Sequence, residues 1–131
     1  MLERVVTRAI ITNDKGEVLL GLRARGHGAK QWALVGGKPD ENETAVEALK
    51  REVYEELGVG FEPKFYLERV DDTTDPQQPW RVYFFTGQVL GEITLKKDEI
   101  EQVNYFSRDE VATLDIAFDH KQRLIEFFDS V

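Results

Sequence analysis

Apolar and β-branched positions open the chain in two runs, Val5 to Thr12 and Glu17 to Arg23. Between them stands Asn13-Asp14-Lys15-Gly16, whose side chains and backbone freedom suit a tight turn, so the pattern predicts a β-hairpin. The basic, glycine-containing stretch RARGHGAKQ reads as a loop, and WALV as a short apolar strand ending at Gly36-Gly37. The period then changes. Val46, Leu49, Val53 and Leu57 recur at helical spacing and form one apolar stripe. Thr44 and Glu47 stand in the capping-box relation, in which each side chain satisfies the other's backbone N–H, and Gly58 occupies the position glycine favours just past a helix end. The spacing predicts a helix from about Ala45 to Leu57.

Further along, KFYLERV and WRVYFFTGQVL read as strands joined by the polar, proline-containing DDTTDPQQP. The second is apolar at nearly every position from Val82 to Phe85, which predicts a central strand covered on both faces. ITL and VNYF are expected as short strands flanking the acidic loop KKDEIEQ. Ser107 and Glu110 repeat the capping-box pattern for a short helix. DHKQRLIEFF predicts a final amphipathic helix with Leu124, Ile125 and Phe128 inward. Strands before and after helices predict an α/β (α+β) fold, with a mixed central sheet and flanking helices. No repeat or linker interrupts the pattern, so residues 1–131 are expected to form a single domain.

Composition narrows the function. With 131 residues, 41% of them hydrophobic, the chain can bury one real core. A net charge of -8 repels long polyanions, so binding to polymeric nucleic acid is not expected, and a phosphate-bearing partner needs local positive charge or a bound cation. The absence of cysteine excludes disulfides, thiolate metal sites and cysteine nucleophiles. The N-terminal MLERVVTRAI lacks an apolar signal core, and no stretch approaches the ~18 apolar residues of a membrane span. A cytoplasmic protein without a membrane partner is the expectation.

One feature of the predicted helix runs against local physics. Glu52, Glu55 and Glu56 share a sector roughly 100° wide beside the apolar stripe, near the helix C-terminus. Like charges at this spacing cost about 0.2 to 0.5 kcal/mol per pair, and carboxylates facing the negative helix end cost ~0.3 to 1 kcal/mol each when exposed. Taken alone, the sector reads either as a solvated acidic face, with Lys50 and Arg51 as partial counterions, or as the wall of a site for a hard divalent cation.

The surrounding residues distinguish these. The run GKPDENETAVEALKREVYEELGV fits the pattern G-x5-E-x7-R-E-U-x-E-E-x-G-U, where U is aliphatic, at Gly37, Glu43, Arg51, Glu52, Val53, Glu55, Glu56, Gly58 and Val59. This is the Nudix box, and the chain resembles the Nudix hydrolases, with an opening GGK similar to the MutT branch. A hairpin ending in Arg23, the W-x-L-x-G-G lead-in from Trp32 to Gly37 and the later VNYFSRDEV run extend the resemblance over most of the sequence. Two positions depart from the common pattern: Val35 stands where many members have proline, and Asn42 where glycine is common. Asparagine tolerates the left-handed backbone that glycine would allow.

The resemblance implies Mg²⁺- or Mn²⁺-dependent hydrolysis of the pyrophosphate bond of a nucleoside diphosphate linked to another group, as in nucleoside triphosphates, ADP-ribose or nucleotide sugars. It implies metal ligation by Glu52, Glu55, Glu56 and the Gly37 carbonyl, and an Arg51 that orients carboxylates, Glu43 among them, through a bidentate contact. Arg23 and Lys38 are candidate phosphate contacts. The general base comes either from the box or from a later loop, where Glu99 and Glu101 are the candidates. Trp32, Tyr83 and Phe85 could stack on a base, though strand aromatics more often belong to a core. His27 and His120 carry no ligand spacing and read as surface or structural residues. The IAFDHKQRL stretch is similar to a segment of ADP-ribose-type members, so the substrate stays open. A non-catalytic nucleotide-sensing domain on the same fold is the alternative function, and a homodimer is a possible assembly.

Overall fold

The computed structural model describes residues 3–26, 28–95 and 98–131. Nine strands and three helices follow in chain order among them: β1 Val5–Ile11, β2 Val18–Arg23, β3 Trp32–Ala33, β4 Val35–Gly37, α1 Ala45–Leu57, β5 Gly60–Phe61, β6 Lys64–Asp71, β7 Trp80–Gly87, β8 Val89–Leu90, β9 Ile100–Phe106, α2 Arg108–Thr113 and α3 His120–Ser130. A mixed four-stranded sheet has the order β4-β1-β7-β6, with β1 and β7 parallel, and an antiparallel three-stranded sheet has the order β3-β2-β9. A short pair, β5-β8, completes the strands.

Side-chain alternation explains why both faces are covered. On β1, Val6 and Ile10 enter one core with Val82 and Phe84 of β7, Leu124 and Phe127 of α3 and Val111 of α2. Ala9 and Ile11 point the other way and meet Leu49, Val53 and Leu57 of α1, together with Phe85. Helices therefore cover the sheets from two sides, and β7 is central, as its continuous apolar run requires.

The turn at Asn13 forms as expected: its Oδ1 accepts the N–H groups of Lys15 and Glu17 at 3.1 and 3.0 Å. The hairpin does not. Beyond a single Thr12–Val18 bridge the two strands separate into different sheets. Both strands are buried on both faces, so each takes the interior place of its own sheet, with a neighbour on either side. WALV likewise splits at Leu34, with Trp32–Ala33 pairing with β2 and Val35–Gly37 with β1. ITL is not a strand. Thr94 donates its N–H to the Leu57 carbonyl at 2.8 Å, while Ile93 and Leu95 pack against the α1-side core, so this segment covers the end of the helix. The acidic loop is also shorter than expected, because β9 begins at Ile100 and places Glu101 on a strand; Lys96 and Lys97 lie outside the described residues.

Helix α1 starts and stops where its sequence dictates. Both capping-box bonds between Thr44 and Glu47 are present, and Gly58 adopts φ 69° with its N–H on the Tyr54 carbonyl. Its buried face is Ala48, Leu49, Val53, Glu56 and Leu57. Val46, expected inward, is 41% exposed, because the contact face centres on the Leu49–Val53–Glu56 row. Burying Leu49, Val53 and Leu57 contributes roughly 1.5 to 3 kcal/mol apiece, which outweighs the few tenths of a kcal/mol that each like-charge pair costs. On α3 the deeply buried residues are His120, Leu124 and Phe127; Ile125 and Phe128, expected inward, are only partly covered.

Candidate active site

The Gly36-Gly37 pair brings β4 against both β1 and α1. A side chain at Gly36 would place its Cβ 1.9 Å from the Thr7 carbonyl oxygen, and one at Gly37 would lie 2.5 Å from the Glu52 carboxyl. Glycine at 37 is therefore what allows the Glu52 carboxylate to rest against the backbone. The Gly37 carbonyl accepts the Thr7 hydroxyl at 3.0 Å. Asn42 adopts φ 68°, the left-handed conformation that a glycine would otherwise supply before Glu43.

Arg51 ties the loop to the helix. Its Nε and Nη2 donate to the two Glu43 oxygens at 2.8 and 2.9 Å, the bidentate contact expected from the sequence. Nη1 donates to Glu52 at 3.1 Å and Glu55 at 3.0 Å, and Nη2 reaches the Lys38 carbonyl at 3.2 Å. The Arg51 hydrogen bond, and then the Asp40 backbone N–H, hold the Glu43 carboxyl down to about 2, while Glu43 first and then Glu52 raise the Arg51 pKa.

Two adjoining cavities, about 250 and 450 Å³, share Arg8, Arg23, Gly36 and Glu99 as walls. Glu56, 4% exposed, lines the smaller; Glu52, Gly37, Lys38, Trp80, Phe118 and His120 line the larger. The fold thus gathers Gly37, Glu52, Glu56, Arg23, Lys38 and Glu99 around one cleft. Arg51 and Glu55 stand beside Glu52 without lining the cavities. Glu101 is not brought in: from β9 it pairs with Lys30. Trp32 packs edge-on against Phe106, and Phe85 against Phe65, so neither offers a stacking face to the cleft; Tyr83 packs with the α1-side core.

The donors suit a hard divalent cation. Glu52, Glu55, Glu56 and the Gly37 carbonyl offer only oxygen, and the missing Cβ at Gly37 leaves room for a carboxylate beside that carbonyl. Among the described residues no three acidic or imidazole side chains converge on one point, and Arg51 Nη1 hydrogen-bonds oxygens of both Glu52 and Glu55. These donors could hold a metal after that guanidinium yields one of them.

Several cleft residues escaped the sequence reading. Arg8 stands inside an apolar run, VVTRAII, and that break in the pattern was the available signal. Its guanidinium donates to the Leu34 carbonyl at 3.2 Å, while His120 Nδ1 accepts the Leu34 N–H at 3.1 Å. Both backbone groups of the residue where WALV changes sheets are thus satisfied by cleft side chains. Burial, then Arg8 and Arg23, push His120 well below its usual pKa, so it is neutral with the proton on Nε2. Burial likewise lowers Arg23, an effect opposed by Glu99 and Glu56. Aromatic rings carry cations on both sides of the cleft: Arg4 lies 4.1 Å and Lys38 5.4 Å from the Trp80 ring, and Arg8 and Arg23 lie 5.4 and 5.2 Å from that of Phe118. Nothing local in the sequence marked Trp80, Phe118 or His120 as neighbours.

The chain is 40% identical over 108 residues to an 8-oxo-dGDP phosphatase of Danio rerio, covering 79% of this chain and 32% of that protein. It is 29% identical over 128 residues to a nucleoside triphosphatase of Enterobacter sp. (strain 638), covering 88% of this chain and 90% of that protein. The structure of a MutT NUDIX hydrolase from Burkholderia pseudomallei superposes with a TM-score of 0.80 at 28% identity, covering 95% of this chain and 96% of that one. The chain spans about a third of the length of the first curated relatives it matches. The NUDIX domain model matches residues 2–127, and with it the chain belongs to the Nudix family.

Proposed function

We propose that this domain is a pyrophosphohydrolase that cleaves the pyrophosphate bond of a nucleoside diphosphate linked to another group, using Mg²⁺ or Mn²⁺. The observation that carries the reading is the cleft itself: Glu52 lines its larger cavity beside a glycine that leaves this carboxylate room, Glu56 lines the adjoining smaller one, and Arg23 and Lys38 stand on the same walls. Relatives named as a nucleoside triphosphatase and an 8-oxo-dGDP phosphatase support a small nucleotide as substrate.

Glu52, Glu55, Glu56 and the Gly37 carbonyl would hold the cation, and Arg51 would keep the carboxylates oriented. When bound, such a cation neutralises the diphosphate, lowers the pKa of water and offsets charge on the leaving phosphate. Arg23 and Lys38 bind phosphoryl oxygens. Glu99, a wall of both cavities, accepts the proton of the attacking water. The water oxygen bonds to phosphorus, the bridging P–O bond breaks, and the leaving group departs with the bond's electron pair. Glu101, held by Lys30 on β9, takes no part.

A turnover screen over nucleoside triphosphates, nucleoside diphosphates, ADP-ribose and nucleotide sugars tests the reading. At least one substrate is expected to be hydrolysed with Mg²⁺ and spared when the metal is chelated. Binding without turnover across the panel would point instead to a nucleotide sensor.

A further inference from the structure

The reaction proposed above gives Arg8 no task, although it is a wall of both cavities. Arg8 enters from the middle of β1. Among the described residues only one of its N–H groups reaches an acceptor, the Leu34 carbonyl, and its buried Nε has no hydrogen-bond partner. Nor does Arg8 form an ion pair among the described residues. Burial, and then the neighbouring Arg23, lower its pKa to about 10, with Asp71, Glu52 and Asp119 partly opposing the shift. It remains a cation at neutral pH. Keeping a charge in a partly desolvated site beside a like charge is costly unless an opposite charge joins it.

The neighbouring geometry shows where that charge would sit. The guanidinium carbons of Arg8 and Arg23 both stand within 5.4 Å of the Phe118 ring centroid. Phe118 itself adopts φ 59°, a left-handed conformation that costs energy for a bulky residue and persists only where surrounding structure imposes it. The ring is thereby held beside two guanidinium groups that face the cavities shared with Glu52 and Glu56. A planar guanidinium matches the oxygens of a phosphoryl group, and two of them match its double negative charge.

We propose that Arg8 and Arg23, set around the Phe118 ring, form a receptor for a phosphoryl group other than those neutralised at the α1 carboxylates. The inference rests on the hydrolase reading and names its substrate class: a nucleotide with a further terminal phosphate, such as a nucleoside triphosphate, is preferred over one whose second half is an uncharged sugar. Asp71, Glu52 and Glu99 on the same walls disfavour a diffuse anion, so the charge has to arrive on a group that hydrogen-bonds both guanidiniums.

Titration of the full chain with inorganic tripolyphosphate in chelator-containing buffer isolates the receptor from any metal. The wild-type protein is expected to bind. Arg8→Gln and Arg23→Gln are each expected to weaken binding about tenfold or more, the scale of losing a charge-assisted hydrogen bond, whereas Glu101→Gln, on β9 outside the cleft, keeps it. In turnover, Arg8→Gln is expected to raise KM for a nucleoside triphosphate about tenfold while leaving KM for a nucleotide sugar within about twofold. Absence of tripolyphosphate binding by the wild type, or unchanged binding by Arg8→Gln, overturns the proposal. Where Arg8→Gln fails to fold, Arg8→Lys, which keeps the charge and loses the planar fork, takes its place, and unchanged tripolyphosphate binding by that variant overturns the proposal. If no nucleotide is hydrolysed while tripolyphosphate binding still depends on Arg8, the hydrolase reading falls and the receptor stands.

Discussion

Arg51 holds Glu43 on two prongs, Nε to Oε2 at 2.8 Å and Nη2 to Oε1 at 2.9 Å, and the same guanidinium reaches Glu52 and Glu55. One side chain thereby fixes the loop before α1 to Glu52, which faces the cleft, and to its neighbour Glu55. Lysine carries the charge without the fork, so Arg51→Lys is expected to release Glu52 and Glu55 and to lower turnover by about 10 to 100-fold, the usual effect of removing a residue that orients metal ligands. Turnover alongside a melting curve checks this.

The Glu43 contact also predicts an acid limit. The folded-state pKa of about 2 lies below the ~4.3 of an unfolded glutamate, so the stabilisation is complete above about pH 4.3 and is lost as pH falls toward 2. Melting temperatures measured across that window are expected to fall more steeply for the wild type than for Glu43→Gln. Parallel curves would show that the contact contributes nothing to folding.

His120 acts in a higher window. Its folded pKa lies well below the ~6.5 of the unfolded side chain, so the unfolded state takes up the proton first and stability declines as pH drops below about 6.5. Denaturant titrations between pH 7 and 5 are expected to show this slope in the wild type and a flatter one in His120→Gln. The variant should also be less stable at pH 7, since the Leu34 N–H loses its buried acceptor.

The two glycines ahead of the box separate fold from chemistry. Gly36→Ala would drive a Cβ to 1.9 Å from the Thr7 carbonyl oxygen, a backbone atom fixed in β1 that cannot swing aside, and is expected to destabilise the protein severely. Gly37→Ala meets the end of the Glu52 side chain, which can swing away. That variant is expected to fold, by circular dichroism, yet to lose turnover.

Among the loop acids, Glu99→Gln is expected to lower kcat by roughly 10²-fold or more, the scale of losing a general base. Glu101→Gln, which only frees Lys30 at the surface, is expected to leave kcat within about twofold. Equal losses in both variants would remove Glu99 from the role proposed for it.

What the sequence revealed follows the range of the forces involved. Helix α1 was legible from its capping box, its Gly58 stop and most of its stripe, because these signals act within a turn or two. Its carboxylates stood out against helix electrostatics, but it was the surrounding box pattern, from Gly37 to Val59, that marked them as a candidate cation site. Strand partnership was not: the turn at Asn13 forms, but whether β1 and β2 pair depends on β7 and β9, which the local pattern does not report. The same distance hid half of the cleft. Leu34 and His120 are 86 positions apart, and only tertiary packing brings Arg8, Phe118 and His120 opposite the box.

Comparison of wild type and Glu56→Gln, on whichever nucleotide the wild type hydrolyses with Mg²⁺, tests the central claim most directly. Glutamine keeps the shape of this buried side chain and removes its charge. A fall in kcat of about 10² to 10³-fold, the scale of losing one preorganised electrostatic contact, is predicted with an unchanged melting temperature. Turnover retained at the wild-type rate in folded Glu56→Gln would contradict the assignment of the α1 carboxylates as the catalytic wall.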